Sequence, residues 1–121
     1  MKRSVLVVDD DPLILRIVST ILDLEEFAVA TAEDATEALQ FLDEAAPDIV
    51  VSDVMMPGMD GFELCRQIKA VHPALPVILL TAREDDESIR HGKEAGSDAY
   101  LTKPFSPLEL IDAIDSLLAK A

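Results

Sequence analysis

Four polar positions stand out because each follows a short apolar run. The aspartates Asp9-Asp10-Asp11 follow the run at 5–8, and Asp53 comes after the run at 49–51. Thr81 follows the run at 77–80, and Lys103 comes shortly after the run at 99–101. Carboxylates can hold a divalent cation or accept a phosphoryl group, while an ammonium and a hydroxyl can contact phosphoryl oxygens. These residue types together are suited to phosphoryl transfer.

The elements that must position these residues alternate along the chain. Runs rich in β-branched residues predict strands at 5–8, 27–31, 49–51, 77–80 and 99–101. Helical spacing predicts helices at 12–24, after Asp34, after Asp60, at 84–94 and after Ser106. Asp34, Asp60 and Ser106 each precede a Glu by three positions, the pattern of an N-terminal capping box. The segment 84–94 has few apolar residues and predicts the weakest helix.

The first helix has apolar residues on most of its surface. Leu13, Ile17, Ile21 and Leu24 recur at intervals of three or four and predict one buried stripe. The neighbouring apolar residues Ile14, Leu15, Val18 and Leu22 widen it. We therefore expect this helix to be the most buried of the five.

Five strands alternating with five helices indicate an α/β domain with a parallel sheet covered on both faces. The carboxyl ends of parallel strands lie at one edge, and ligands bind where the strand order reverses. Acids after strands 1 and 3 place this reversal between them, which predicts the order 2-1-3-4-5. That order gathers Asp9, Asp10, Asp53, Thr81 and Lys103 around one crevice.

Such a cluster of carboxylates requires compensation. Two carboxylates about 4 Å apart repel by roughly 4 kcal/mol at an effective dielectric constant near 20. Lys103 supplies one positive charge, and Mg²⁺ would complete the balance. Taken singly, each residue has an ordinary structural role: Asp11 as a helix N-cap, Asp53 in a turn, the others in loops or caps. Their occurrence after four different strands favours a common site.

The composition excludes several classes of function. The 121 residues include 10 Lys and Arg against 24 Asp and Glu, a net charge of −14, so nucleic acid and anionic membranes would be repelled. A single cysteine, Cys65, favours a reducing cytoplasm. Neither a signal-peptide core nor a membrane-spanning run is evident. We expect one domain over residues 1–121, with no second domain following the last helix.

Four sequence motifs carry a family resemblance. They are VLVVDDDP at 5–12, DIVVSDVMMPGMDG at 48–61, PVILLTA at 76–82 and AGSDAYLTKPF at 95–105. Their order and spacing resemble the receiver domain of two-component response regulators over essentially the whole chain. The resemblance implies a flavodoxin-like (CheY-like) fold with three α/β/α layers. It also implies a signalling phosphoacceptor rather than an enzyme.

The resemblance also implies roles for the site residues. Asp53 matches the phosphoacceptor, Asp10 the direct metal ligand, and Asp9 an acid that acts on the metal mainly through water. The backbone carbonyl of Met55 matches a third protein ligand. The implied cofactor is Mg²⁺, with Mn²⁺ as a substitute.

Thr81 and Lys103 match the hydroxyl and ammonium that contact the phosphoryl oxygens, and Tyr100 matches the aromatic switch residue. The bond before Pro104 resembles the family's cis peptide. Phosphate on Asp53 can pull Thr81 inward by hydrogen bonding, and Tyr100 could fill the space that Thr81 leaves. We therefore expect an output surface formed by helix 4, strand 5 and helix 5, over 83–93 and 100–118.

The implied partners are a histidine kinase or phosphotransfer protein and a downstream protein or fused effector domain. Phosphorylation-dependent homodimerisation is also implied. Met55 and Arg83 match the variable positions that flank the site and influence the lifetime of the phosphoryl group.

Three other interpretations remain open from the residues alone. A phosphohydrolase of the haloacid-dehalogenase type needs a second Asp two positions after the first, where this chain has Met55. A flavin-phosphate binder needs a Ser/Thr/Gly-rich loop after strand 1, where this chain has three acids. A pseudo-receiver would serve as an interaction module without accepting phosphate.

Overall fold

The computed structural model describes residues 2–82 and 85–119. Arg83 and the first residue of the helix predicted at 84–94 lie outside the described residues. Within the described residues, five strands and five helices alternate along the chain. The strands are β1 (Ser4–Val8), β2 (Ala28–Ala32), β3 (Ile49–Asp53), β4 (Val77–Thr81) and β5 (Ala99–Thr102). The helices are α1 (Pro12–Leu24), α2 (Ala35–Glu44), α3 (Gly61–Val71), α4 (Asp86–Glu94) and α5 (Pro107–Ala119).

The sheet is parallel throughout and has the order β2-β1-β3-β4-β5. This confirms the predicted order, with the reversal between β1 and β3. Strand residues alternate between two cores: Val5 and Val7 face a cluster containing α1 and α5, whereas Leu6 and Val8 face a cluster containing α2 and α3. Because both faces are covered, β1, β3 and β4 consist almost entirely of buried residues.

The predicted helix starts are confirmed. The side chains of Asp11, Asp34 and Asp60 accept hydrogen bonds from backbone N–H groups in the first turns of α1, α2 and α3. At the start of α5, Ser106 and Glu109 form a reciprocal capping box: the Glu109 N–H donates to Ser106 Oγ, and the Ser106 N–H donates to Glu109 Oε1.

The prediction for the central stripe of α1 is wrong, and the buried residues are three of those that were expected to widen it. The buried residues are Leu15, Val18 and Leu22, whereas Leu13 and Leu24 are 61% and 78% exposed. Since α1 is apolar on most of its surface, local periodicity does not select one stripe, and packing against the sheet decides. Nor is α1 the most buried helix, because α3 buries five residues and α1 buries three.

Glu26, after the end of α1, has a positive φ of 67°. The N–H of Glu26 donates to the Asp23 carbonyl and the N–H of Phe27 to the Leu22 carbonyl, a helix C-terminal motif in which glycine is usual. We expect Glu26→Gly to raise the free energy of unfolding by about 0.5–1 kcal/mol, because glycine adopts this conformation without the steric cost of a β-carbon. Urea unfolding followed by circular dichroism measures the change.

Glu25→Gly is the matched control for this substitution. It removes the same charge and introduces the same glycine, but φ at Glu25 is −92°. The control should therefore give no gain in stability. An equal gain in both variants would attribute the effect to the lost charge rather than to the backbone.

Within the described residues, none of the helices combines the length and the hydropathy that crossing a bilayer requires.

Candidate functional site

The carboxyl ends of the central strands meet at the reversal of strand order. Asp53 is the last residue of β3 and Thr81 the last of β4, while Asp9 directly follows β1. Lys103 directly follows β5, and its N–H donates to the Thr81 carbonyl at 2.7 Å. The predicted crevice residues therefore lie at one edge of the sheet, as parallel topology requires.

Three carboxylates form a tight cluster in this crevice. Each of Asp9, Asp10 and Asp53 offers an oxygen that lies within 4.8 Å of the oxygens from the other two. Asp9 and Asp53 are 2% and 6% exposed, whereas Asp10 is exposed. The cluster thus has a buried floor and one carboxylate at its mouth.

Lys103 provides the ammonium group of the cluster. Its Nζ lies 3.2 Å from Asp53 Oδ1 and 3.5 Å from Asp9 Oδ2. The Lys103–Pro104 peptide bond is cis, as the resemblance implied. Three carboxylates face one ammonium here, so negative charge is in excess. That excess and the oxygen-only donor set fit a hard divalent cation such as Mg²⁺.

The pKa of Asp9 is raised above its ordinary value of 3.8, chiefly because burial disfavours the charged carboxylate. The N–H of Asp11 donates to Asp9 Oδ1 at 2.9 Å and opposes the rise. Repulsion by Asp53 adds to the rise, and attraction by Lys103 lowers it. The folded, metal-free protein therefore holds the Asp9 proton more tightly than the unfolded chain does.

A pH dependence follows from this shift. A carboxyl with a raised pKa makes the metal-free fold lose stability as pH rises through the window above 3.8. Asp9→Asn has no such titration, so its stability relative to the wild type should grow as pH rises through this window and then level off. Urea unfolding in the presence of a chelator, from about pH 4 to neutrality, measures the difference. A difference that is constant with pH would contradict the prediction.

Gly61, the first residue of α3, determines how closely this helix approaches the site. A β-carbon there would overlap the Asp53 carbonyl oxygen and lie 2.8 Å from Val54 Cα. The N–H of Gly61 donates to the Val54 carbonyl at 2.9 Å. From the sequence, Gly61 was placed at the end of the motif at 48–61 but not in the site. Its position directly after the capping residue Asp60 was the available signal.

The remaining predicted residues surround the cluster. Thr81 is fully buried at the end of β4. The Met55 side chain is 54% exposed on the loop after β3. Tyr100 lies on β5, where it is partly buried and packs against the core cluster that contains α2 and α3. The tertiary structure thus brings the three acids together and places Lys103 in contact with Asp9 and Asp53.

Comparison with known proteins identifies the family. The family model described as "Response regulator receiver domain" matches residues 5–115. The chain is 43% identical over 120 residues to the transcriptional regulatory protein ResD of Bacillus subtilis, covering 99% of this chain and 50% of ResD. The chain spans about half the length of the curated relatives it matches.

Solved structures agree with this result. The chemotaxis protein CheY4 of Vibrio cholerae matches with a TM-score of 0.92 at 34% identity, covering 97% of this chain and 99% of CheY4. The BeF3-activated receiver domain of DrrB, a protein of Thermotoga maritima, matches with a TM-score of 0.91 at 44% identity, covering 98% and 99% of the two chains. The fold is therefore CheY-like, and this chain belongs to the family of response regulator receiver domains.

Proposed function

We propose that this domain accepts a phosphoryl group on Asp53 and passes the signal to an output surface. The observation that carries the proposal is the buried Asp53 carboxylate, 3.2 Å from the Lys103 ammonium at the reversal of strand order. Family membership supports the same function. Asp9 and Asp10 add negative charge beside Asp53, and this excess favours a bound divalent cation next to the acceptor carboxylate.

The transfer step requires few protein groups. An oxygen of Asp53 attacks the phosphorus of a phosphohistidine or an acyl phosphate, and an acyl phosphate forms on Asp53. The P–N or P–O bond of the donor breaks, and its electron pair leaves with the imidazole or the carboxylate. Lys103 neutralises charge on the phosphoryl oxygens, and the Thr81 hydroxyl donates a hydrogen bond to them.

The carboxylate cluster fits Mg²⁺, with Mn²⁺ as a substitute, because its donors are all oxygens and its charge exceeds what Lys103 balances. Asp10, Asp53 and the backbone carbonyl of Met55 would hold the ion, and Asp9 would act on it through water. The bound ion would supply positive charge beside the phosphoryl oxygens.

The output would be a change at α4, β5 and α5, within residues 85–93 and 100–118 of the described chain. Thr81 would move toward the phosphoryl group and Tyr100 into the vacated space.

The domain would act in the cytoplasm as a signalling module without turnover of an external substrate. Its partners would be a histidine kinase or phosphotransfer protein and an output protein, a fused effector or a second copy of the domain. Direct contact with nucleic acid or a membrane is disfavoured by the net charge of −14.

Incubation with Mg²⁺ and acetyl phosphate, followed by intact mass measurement, tests the proposal. We expect one phosphoryl adduct that requires the divalent ion. Absence of an adduct with acetyl phosphate and with phosphorylated histidine kinases would favour an interaction module. Sustained hydrolysis of small phosphate esters would favour a phosphohydrolase.

A further inference from the structure

Helix α4 contains a glycine, Gly92, in its last turn, where the residue is buried. Glycine is, after proline, the least favourable residue in a helix. Gly92 has no positive φ, so its backbone conformation does not require glycine. The reason for a glycine at this position must therefore be the space that a side chain would occupy.

The space over Gly92 is filled by the ring of Tyr100. A β-carbon on Gly92 would lie 2.9 Å from Tyr100 Cδ2 and 3.2 Å from Cε2. These distances are shorter than the van der Waals separation of about 3.5–4.0 Å between carbon atoms. The ring and any side chain larger than hydrogen at position 92 therefore exclude one another.

The end of α4 is held in place by hydrogen bonds to Gly92 itself. Its carbonyl accepts from the Ser97 N–H at 3.0 Å and from Ser97 Oγ at 2.8 Å. The Gly96 N–H donates to the Lys93 carbonyl at 3.0 Å, and Gly96 has a φ of 92°. Together these contacts form a helix C-terminal motif that fixes the last turn of α4.

The loop after α4 is also tied to the rest of the domain. Cys65 Sγ on α3 donates to the Ala95 carbonyl at 3.4 Å. Asp98 Oδ2 accepts from Lys69 Nζ at 2.7 Å and from the Val77 N–H at 2.8 Å. Because the backbone is anchored on both sides of this loop, a β-carbon at position 92 would press directly on the Tyr100 ring.

We propose that Gly92 is a positioning residue that holds the Tyr100 ring against α4 in the unphosphorylated protein. The ring can take this position against the helix only while position 92 has no side chain. The consequence for signalling rests on the proposed function, because it assumes that Tyr100 moves when Asp53 is phosphorylated. The position of the ring itself does not depend on that assumption.

The sequence provides a direct optical readout, since Tyr100 is the only tyrosine and there is no tryptophan. Intrinsic emission therefore reports on this one ring. We expect Gly92→Ala to increase the quenching of this emission by acrylamide, because the displaced ring becomes more exposed. Lys93→Ala, at the neighbouring exposed position on α4, should leave the quenching unchanged. Equal quenching in Gly92→Ala and the wild type would overturn the proposal.

A double-mutant cycle distinguishes displacement of the ring from a general effect on the helix. Gly92→Ala should lower the Tm or leave it unchanged in the wild type, where the β-carbon meets the ring. In a Tyr100→Ala background the same substitution should raise the Tm, because alanine favours the helix and the ring is gone. The same Tm change in both backgrounds would overturn the proposal.

The link to switching is tested with Mg²⁺ and acetyl phosphate, with intact mass as the measure of phosphorylation. The change in Tyr100 emission per phosphorylated molecule should differ between Gly92→Ala and the wild type, because the ring starts from a different position in the variant. An equal change in both would contradict a role in switching. If the wild type takes up no phosphoryl group, the proposed function fails, whereas the quenching and the Tm cycle still decide the role of Gly92.

Discussion

Asp53→Asn is expected to take up no phosphoryl group from acetyl phosphate under conditions in which the wild type forms one adduct. The amide of asparagine has nearly the shape of the carboxylate but is not a nucleophile at neutral pH, so the acyl phosphate cannot form. The side chain is buried beside Lys103, and the substitution adds no volume that would disturb the packing. Intact mass measurement detects the adduct directly.

Asp11→Asn is the matched control for this prediction. Asp11 lies on the same loop as Asp9 and Asp10, but its side chain is exposed and accepts the Leu13 N–H at the start of α1. Asparagine is an equally good N-cap, so this variant should fold and be phosphorylated like the wild type. An adduct that persists in Asp53→Asn would place the acceptor on another residue and refute the assignment.

Gly61→Ala is expected to cost on the order of 3 kcal/mol of stability, or roughly 10 °C in Tm. The added β-carbon meets the backbone of Asp53 and Val54, which cannot rotate away as a side chain could. Relief requires a shift of α3 or of the end of β3, and a shift of the end of β3 displaces the Asp53 carboxylate from Lys103. We therefore expect slower phosphorylation as well as a lower Tm, measured by thermal unfolding and by the rate of adduct formation.

Gly58→Ala separates this effect from the general cost of replacing a loop glycine. Gly58 has a φ of 76°, and a β-carbon there would meet no atom within 4 Å. Its replacement should cost about 1 kcal/mol through the backbone conformation alone. If Gly61→Ala is no more damaging than Gly58→Ala, close contact between α3 and the end of β3 is not a requirement of the site.

Much of the fold and most of the candidate site could be predicted from the sequence. Strands that are buried on both faces must be apolar along their length, and helix starts need capping side chains, so both leave local patterns. Parallel topology brings strand ends to one edge, which explains why Asp9, Asp53 and Lys103 could be grouped without coordinates. The cis bond before Pro104 was implied by resemblance alone.

Other features depended on distances between segments that are remote in sequence. The buried stripe of α1 was predicted wrongly, since two apolar stripes compete and only the sheet selects Leu15, Val18 and Leu22. The raised pKa of Asp9 arises chiefly from the atoms packed around it, and burial of this kind is not a property of a local pattern.

By itself, therefore, the sequence determined the order of the elements, the family and the chemical groups at the sheet edge, because hydrophobic periodicity, capping and strand-end position are local properties. Only the tertiary structure decided which apolar face is buried and why Gly61 and Gly92 must lack side chains. Space at these glycines is defined by Asp53 in one case and by Tyr100 in the other, residues that folding brings within 3 Å of where a β-carbon would lie. Steric contacts between separate elements form only when those elements pack against one another in the folded protein.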